Sequence, residues 1–297
     1  MIFDNTYVIS KIEENKISKK IKFIDLFCGM GSFHYSFKKL NWECVMSCDI
    51  DKAVRETYKE NYNLLPLGDI SEIVPEDIPS YDILCAGFPC QPFSQCGQHK
   101  GFDDKRGTLF FNIMKFVEYH KPSIIILENV QGLITHDDGK TFDRIKSDIQ
   151  AVNYSVTYKV IKCSDYGLPQ MRKRLIIVAL RNNAEIVNHI NKILDFEEYK
   201  RDSTLSELLD KNFEKRIAYT IRCGGKNSPI NDKHNWDGYI VDGKEYRLSK
   251  DDCLKLQGFD INFKLCGSNK DQWKQLGNTI PTIFTEMIGM NINKYLH

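Results

Sequence analysis

Between residues 21 and 180, short apolar runs alternate with stretches in which apolar residues return every three or four positions. The runs 21–27 (IKFIDLF), 43–48 (ECVMSC), 81–88 (YDILCAGF), 123–129 (SIIILEN), 154–161 (YSVTYKVI) and 174–180 (RLIIVAL) have the length and composition of buried strands. The segments 32–40, 52–62, 107–120 and 141–152 carry helical spacing. Strand–helix alternation predicts an α/β fold, a doubly wound and mostly parallel sheet with helices on both faces. Ligands of such sheets sit at the carboxyl ends of the strands.

Beyond residue 180 the alternation stops. A polar, helix-prone stretch (182–209) leads into a segment rich in Gly, Asn and aromatics. Its turn signals, Cys223-Gly224-Gly225, Asn227-Ser228-Pro229 and Asp242-Gly243, flank short strand-like runs and predict hairpins. Helical spacing resumes at Trp273. The expected organisation is a lead (1–20), a catalytic and cofactor-binding domain (21–180), a small, mainly β domain (181–272), and a C-terminal helix (273–297) returning to the large domain.

Composition narrows the class. Hydrophobic residues make up 42% and charged residues 27%, which excludes wholesale disorder. The longest aliphatic run, residues 175–180, is far short of the roughly 20 residues of a spanning helix. The N-terminus interleaves charge with apolar residues and has no signal-peptide core, so an intracellular, cytoplasmic protein is expected. Lys and Arg number 41 against 40 Asp and Glu, a balance that by itself suggests no nucleic-acid partner. Locally, residues 211–250 hold nine basic against five acidic residues, enough to bind phosphate. The ten cysteines contain no Cys-x-x-Cys pair, so neither a disulfide framework nor a metal site is expected.

Four constellations carry chemistry. In Asp25-Leu26-Phe27-Cys28-Gly29-Met30-Gly31-Ser32 a strand runs into two glycines and then a helix, and Asp49 ends the next strand. This suits a nucleoside ligand held by backbone and by a ribose-binding acid, although the spacing and the missing third Gly argue against NAD. Cys90 follows Pro89 just beyond a buried strand, the place of a nucleophile rather than a packing residue. The polar, glycine-bearing segment 95–106 has the composition of a lid. Glu128 ends a strand after four aliphatic residues, costly unless functional or paired. Arg172 and Arg174 alternate onto one face, where they can donate to an acceptor in the pocket.

Taken in order, these motifs resemble the DNA (cytosine-5) methyltransferases, in particular the compact restriction-modification enzymes. The resemblance runs from Lys22 onward. It includes DLFCGMG, Pro89-Cys90-Gln91, Glu128-Asn129-Val130, Gln170-x-Arg172-x-Arg174, Arg247-Leu248-Ser249 with Leu256-Gln257-Gly258-Phe259, and Gln275-Leu276-Gly277-Asn278-Thr279-Ile280-Pro281. It implies a Rossmann-like, S-adenosylmethionine-dependent methyltransferase, acting as a monomer on double-stranded DNA without a metal. The implied catalytic residues are Cys90, Glu128, Arg172 and Arg174. Phe27, Gly29, Gly31, Asp49, Ile50, Asp69, Pro89 and Asn278 would hold the cofactor. Gln91, Ser94, Arg106, Thr220, Arg222, Lys226 and Arg247 would meet DNA, Arg247 by tying the recognition region to the catalytic domain. The Asn235-Trp236 pair is a further candidate for base reading.

Several positions depart from the family pattern. Ser32 replaces the commoner second glycine, Asp252 stands for Glu, and Ile50 replaces a frequent aromatic. Only about 65 residues separate Leu180 from Arg247, short for a recognition region. An RNA cytosine-5 methyltransferase on the same fold is the alternative enzyme, but its typical Cys-Phe-Thr tripeptide is absent. A silent DNA-binding regulator is the non-enzymatic alternative, and the intact Pro-Cys and Glu argue against it.

Overall fold

A computed structural model describes residues 20–89 and 108–296. Strands β1 (Lys22–Leu26), β2 (Glu43–Cys48), β3 (Ile83–Gly87), β4 (Ile124–Asn129), β5 (Tyr154–Lys162) and β6 (Lys173–Arg181) form one sheet in the order β2-β1-β3-β4-β6-β5. The β1–β2, β1–β3 and β3–β4 pairs are parallel, whereas β6 runs antiparallel to both of its neighbours. That reversal has a simple cause. The segment between β5 and β6 holds only a single 3-10 turn, Cys163–Asp165, and lacks the length for a crossover helix.

Period-2 alternation divides the sheet's side chains between two cores. Phe23, Ile83, Ile124, Ile126, Ile176 and Val178 face one core, and Ile24, Leu84, Ile125, Leu127, Leu175 and Ile177 face the other. The first core is covered by α1 (Ser32–Lys38) and by the final helix. The second is covered by helices α3 (Thr108–His120) and α4 (Lys140–Ala151), through Phe110, Ile113, Phe142 and Ile145. Helix α2 (Lys52–Tyr62) follows β2, its N-terminal N–H groups capped by Asp51. Ile186, Phe196 and Ile193, the last in the short α5 (Ile190–Ile193), join the first core, so packing against the sheet extends past residue 181.

A third cluster gathers α6 (Leu205–Leu209), the ribbon β7–β8 (Gly238–Val241, Lys244–Arg247), α7 (Lys250–Gln257) and α8 (Asn269–Asn278) around Trp236, Leu254 and Leu276. Among the described residues this region contains one hairpin. Its turn, Asp242-Gly243, has φ of 48° and 73°, the double positive φ that matches strand twist. Residues 223–234 form successive turns instead of further strands, because side chains rather than a neighbouring strand satisfy their backbone. Asn235 Nδ2 donates to the Ile230 and Gly238 carbonyls (3.1 and 3.0 Å), and the buried Asp237 accepts from Asn227 N (3.1 Å).

Pro281 ends the helical run, and the chain restarts as α9 (Thr282–Tyr295). Phe284, Met287, Ile288 and Ile292 of α9 enter the first core. Gly289 permits this approach, since a Cβ there would lie 2.8 Å from Leu40 and 2.9 Å from Phe37. Residues 279–281 are thereby held over the carboxyl edge of the sheet.

Candidate active site

The chain leaves β1 toward β2 on one side and β3 toward β4 on the other, so a crevice opens beyond β1 and β3. Asp25, Phe27, Gly29, Gly87, Glu128 and Asn278 line a cavity there. The 27–31 turn that forms its floor has positive φ at Phe27 (55°), Gly29 (53°) and Gly31 (80°). Gly31 admits no side chain, because a Cβ would meet the Tyr62 and Tyr58 rings at 2.5 and 2.7 Å. At Gly29 a Cβ would meet nothing within 4 Å, so this α-carbon faces open space. Tyr62 Oη donates to the carbonyls of Met30 (3.0 Å) and Gly31 (2.9 Å) and fixes the turn from behind.

The carboxylate of Asp49 braces the same turn. Its Oδ2 accepts from Gly29 N (3.0 Å) and its Oδ1 from Asp51 N (2.9 Å). Burial raises its pKa above the ordinary Asp value, against the pull of those two N–H groups. Ile50 is 74% exposed beside it, and Asp69 Oδ1 accepts from the backbone and hydroxyl of Ser71. Asp25, which the sequence reading left without a role, is buried in the cavity wall with no hydrogen-bond partner for Oδ2 among the described residues. Burial, and secondarily Asp49, holds its pKa well above the usual carboxylate range.

Glu128 is the penultimate residue of β4 and pairs with Arg174, whose Nε lies 2.7 Å from Oε1. Burial raises the Glu128 pKa, and the charges of Arg174 and Arg172 oppose the rise. Gly87 makes room for Ile280 beside this carboxylate, since a Cβ there would lie 3.0 Å from the Ile280 side chain. Asn129 donates through Nδ2 to the Phe88 carbonyl (3.0 Å), fixing the strand exit that leads to Pro89. Pro89 is exposed at the edge of the described chain. Cys90, Gln91, Ser94, Arg106 and the expected lid at 95–106 lie outside the described residues.

Arg172 departs from its expected place beside the reacting base. Its buried guanidinium donates from Nη1 to the Ile221 carbonyl (3.0 Å), and from Nη2 to those of Gly277 (3.1 Å) and Thr279 (2.8 Å). Burial pulls its pKa down to about 9. Arg172 therefore clamps two backbone segments, 221 and 277–279, through three carbonyls, and of the two arginines only Arg174 contacts Glu128. Ser32, the departure in the first motif, joins the same assembly by donating from Oγ to the Ile280 carbonyl (2.6 Å). Asp252 closes a capping box with Ser249 and accepts from Tyr246 Oη (2.6 Å), a task for which the shorter acid suffices.

In the outer lobe, Arg222 is exposed and donates to the His234 carbonyl (2.6 Å), and Thr220 is half-buried. Arg247 does not reach the catalytic sheet. It binds Glu245 (2.5 Å), the Ser228 carbonyl (2.8 Å) and Asp237 (3.2 Å), all within the lobe, because the buried Asp237 needs a cation. Lys226 likewise lies 4.6 Å over the Trp273 ring and 4.0 Å from Asp237. Asn235 and Trp236 are buried, which removes them as base contacts. Lys233 is exposed on the turn that they support.

A sequence profile for C-5 cytosine-specific DNA methylase matches residues 21–240 and 217–294. The chain is 34% identical to the type II methyltransferase M.DsaV of Dactylococcopsis salina, over 94% of this chain and 87% of that protein. It is 32% identical to M.HhaI of Haemophilus parahaemolyticus, over 93% and 95% of the two chains. Among solved structures, the Dnmt2 methyltransferase of S. pombe superposes with a TM-score of 0.68 at 19% identity, covering 93% of this chain and 99% of that one. The EhMeth methyltransferase of Entamoeba histolytica superposes with a TM-score of 0.70 at 17% identity, covering 94% and 98%. Identities this low bear on the fold alone.

Proposed function

The chain belongs to the C-5 cytosine-specific DNA methylase family, and on that premise we propose that it methylates C5 of a cytosine turned out of a short, specific duplex DNA sequence, through a covalent bond between Cys90 and C6. Its similarity to type II methyltransferases supports a place in a restriction-modification system. A base still stacked in the duplex hides both ring carbons, so rotation into the cavity precedes chemistry.

The cavity suits S-adenosylmethionine. Gly29 offers open space, Asp25 Oδ2 is buried and unpartnered, and Asn278 presents an amide at the rim. The backbone of Phe27–Gly31 and Asn278 would hold the amino-acid part, Asp49 the ribose, and Ile50, Asp69 and Pro89 the remainder. When bound, this cofactor supplies an electrophilic methyl group.

Proton traffic falls to this chain's own residues. The Cys90 thiolate adds to C6, and Glu128 gives its proton to N3, so electron density collects at C5. Arg174 steadies the carboxylate left behind. Once the methyl is on C5, the C5 proton passes to water as the C5=C6 bond re-forms and the Cys90–C6 bond breaks, releasing the thiolate, and N3 returns its proton to Glu128. The observation that carries this reading is the Glu128–Arg174 pair at 2.7 Å, a buried acid with raised pKa at the carboxyl edge of the sheet. The test is transfer of labelled methyl groups to unmodified duplex DNA and, separately, to total tRNA, followed by bisulfite sequencing. Label in DNA at one short sequence, reduced at least about 10²-fold by Glu128→Gln, is expected. Label confined to tRNA would overturn the substrate.

A further inference from the structure

The segment 221–223 of the outer lobe touches the cavity rim directly. Gly277 makes the contact possible, since a Cβ there would lie 2.5 Å from Cys223 N and 2.6 Å from the Arg222 carbonyl carbon. Arg172 holds the Ile221 and Gly277 carbonyls together, and Gln170 Oε1 accepts from Ile221 N (3.2 Å). Across this seam the Cys223 thiol donates to Asn278 Oδ1 at 2.9 Å. An amide has one carbonyl and one NH2, so a donor bound to Oδ1 leaves Nδ2 to face outward from that contact. The same cavity holds the buried, unpartnered Oδ2 of Asp25, an independent sign that a polar ligand completes it. Burial raises the Cys223 pKa, against the charges of Arg172 and Lys274, so the thiol keeps the proton that the bond requires.

We propose that Cys223 is a positioning residue for the cofactor: its thiol fixes the Asn278 amide with the NH2 toward the cofactor's carboxylate. The inference rests on the proposed cofactor role of Asn278, and the test separates the two.

The test is titration of S-adenosylhomocysteine into the full chain by calorimetry, for wild type, Cys223→Ala, Cys223→Ser, Asn278→Ala and the Cys223→Ala/Asn278→Ala double variant. Cys223→Ala should lose on the order of 3- to 10-fold in affinity with an unchanged melting temperature. Cys223→Ser, which keeps a donor, should bind within about 2-fold of wild type. In the Asn278→Ala background, Cys223→Ala should add nothing, because the group it positions is gone. Wild-type binding by Cys223→Ala, loss in the Ser variant equal to that of Ala, or full additivity in the double variant would overturn the inference while leaving the cofactor site in place. Wild-type binding by Asn278→Ala would overturn the role given to Asn278, and this inference with it.

Discussion

Replacing Arg172 with Met removes three hydrogen bonds from one buried guanidinium and leaves the Ile221, Gly277 and Thr279 carbonyls without that donor. Hydrogen bonds from a charged group contribute roughly 1.5–3 kcal/mol each, and shared partners make them less than additive. The substitution also relieves a desolvated cation, whose pKa is drawn down to about 9, and whose Nε has no partner among the described residues. Subtracting that relief leaves a net loss of roughly 2–4 kcal/mol. At about 2–4 °C per kcal/mol for a domain approaching this size, melting should fall by about 4–16 °C. Differential scanning calorimetry of the unliganded protein reads this directly. S-adenosylhomocysteine affinity should fall as well, because Asn278 and Thr279, in the stretch that this clamp holds, line the cavity. Arg172→Lys should not rescue, since one ammonium cannot reach three divergent carbonyls. A Met variant melting within about 2 °C of wild type would refute the clamp.

Asp25→Asn should raise the melting temperature at neutral pH while weakening S-adenosylhomocysteine binding. The raised pKa means that the folded state binds this proton more tightly than the unfolded state does. Stability from Asp25 is thus full at acid pH and is lost as pH climbs past the ordinary Asp value of about 4, so the Asn advantage should vanish in acid, and a pH-independent difference would refute this. Gly29→Ala should leave the Gly31 turn intact but fill open space and strain a residue at φ 53°, reducing cofactor affinity more than stability; equal affinity by calorimetry would show that the ligand lies elsewhere. Lys233→Ala should weaken binding to all duplexes alike and lower the salt slope by about one. Lys226→Ala should instead cost lobe stability, because its ammonium sits on Trp273; an equal slope change for both, by fluorescence anisotropy over a salt series, would contradict the distinction.

The strands were legible because burial on both faces forces near-continuous apolar runs, and Ile124–Leu127 is the clearest case. The direction of β6 was not, since it depends on how little chain joins it to β5. Glu128 announced itself as a carboxylate after four aliphatics, and Arg174 as a catalytic residue by family position, but not as the partner of Glu128, which only the structure brings to 2.7 Å. Arg172 misled because sequence shows a residue's strand neighbours but not the carbonyls of segments 49 to 107 residues away. Asp25 and Asn129 carried a usable signal, a polar side chain at the end of a buried strand. Trp236 and Asn235 sit in a turn-rich, basic segment whose composition suggests exposure, yet they form the core that shapes it. Cys223 was the least visible, because a thiol donating to an amide 55 residues away leaves no pattern in sequence.

The central claim is that Cys90 bonds to C6 of cytosine during methyl transfer, and a 5-fluorocytosine trap tests it most directly. Fluorine at C5 blocks the loss that precedes elimination, so the bond between enzyme and base persists after the methyl has moved. A duplex carrying the analogue at the methylated position, incubated with protein and S-adenosylmethionine, should yield a complex stable to denaturation. Mass spectrometry of the digest should place the base on Cys90, and Cys90→Ala should give no complex while still binding S-adenosylhomocysteine. A complex that survives in Cys90→Ala, or a base found on any other of the ten cysteines, would contradict the account.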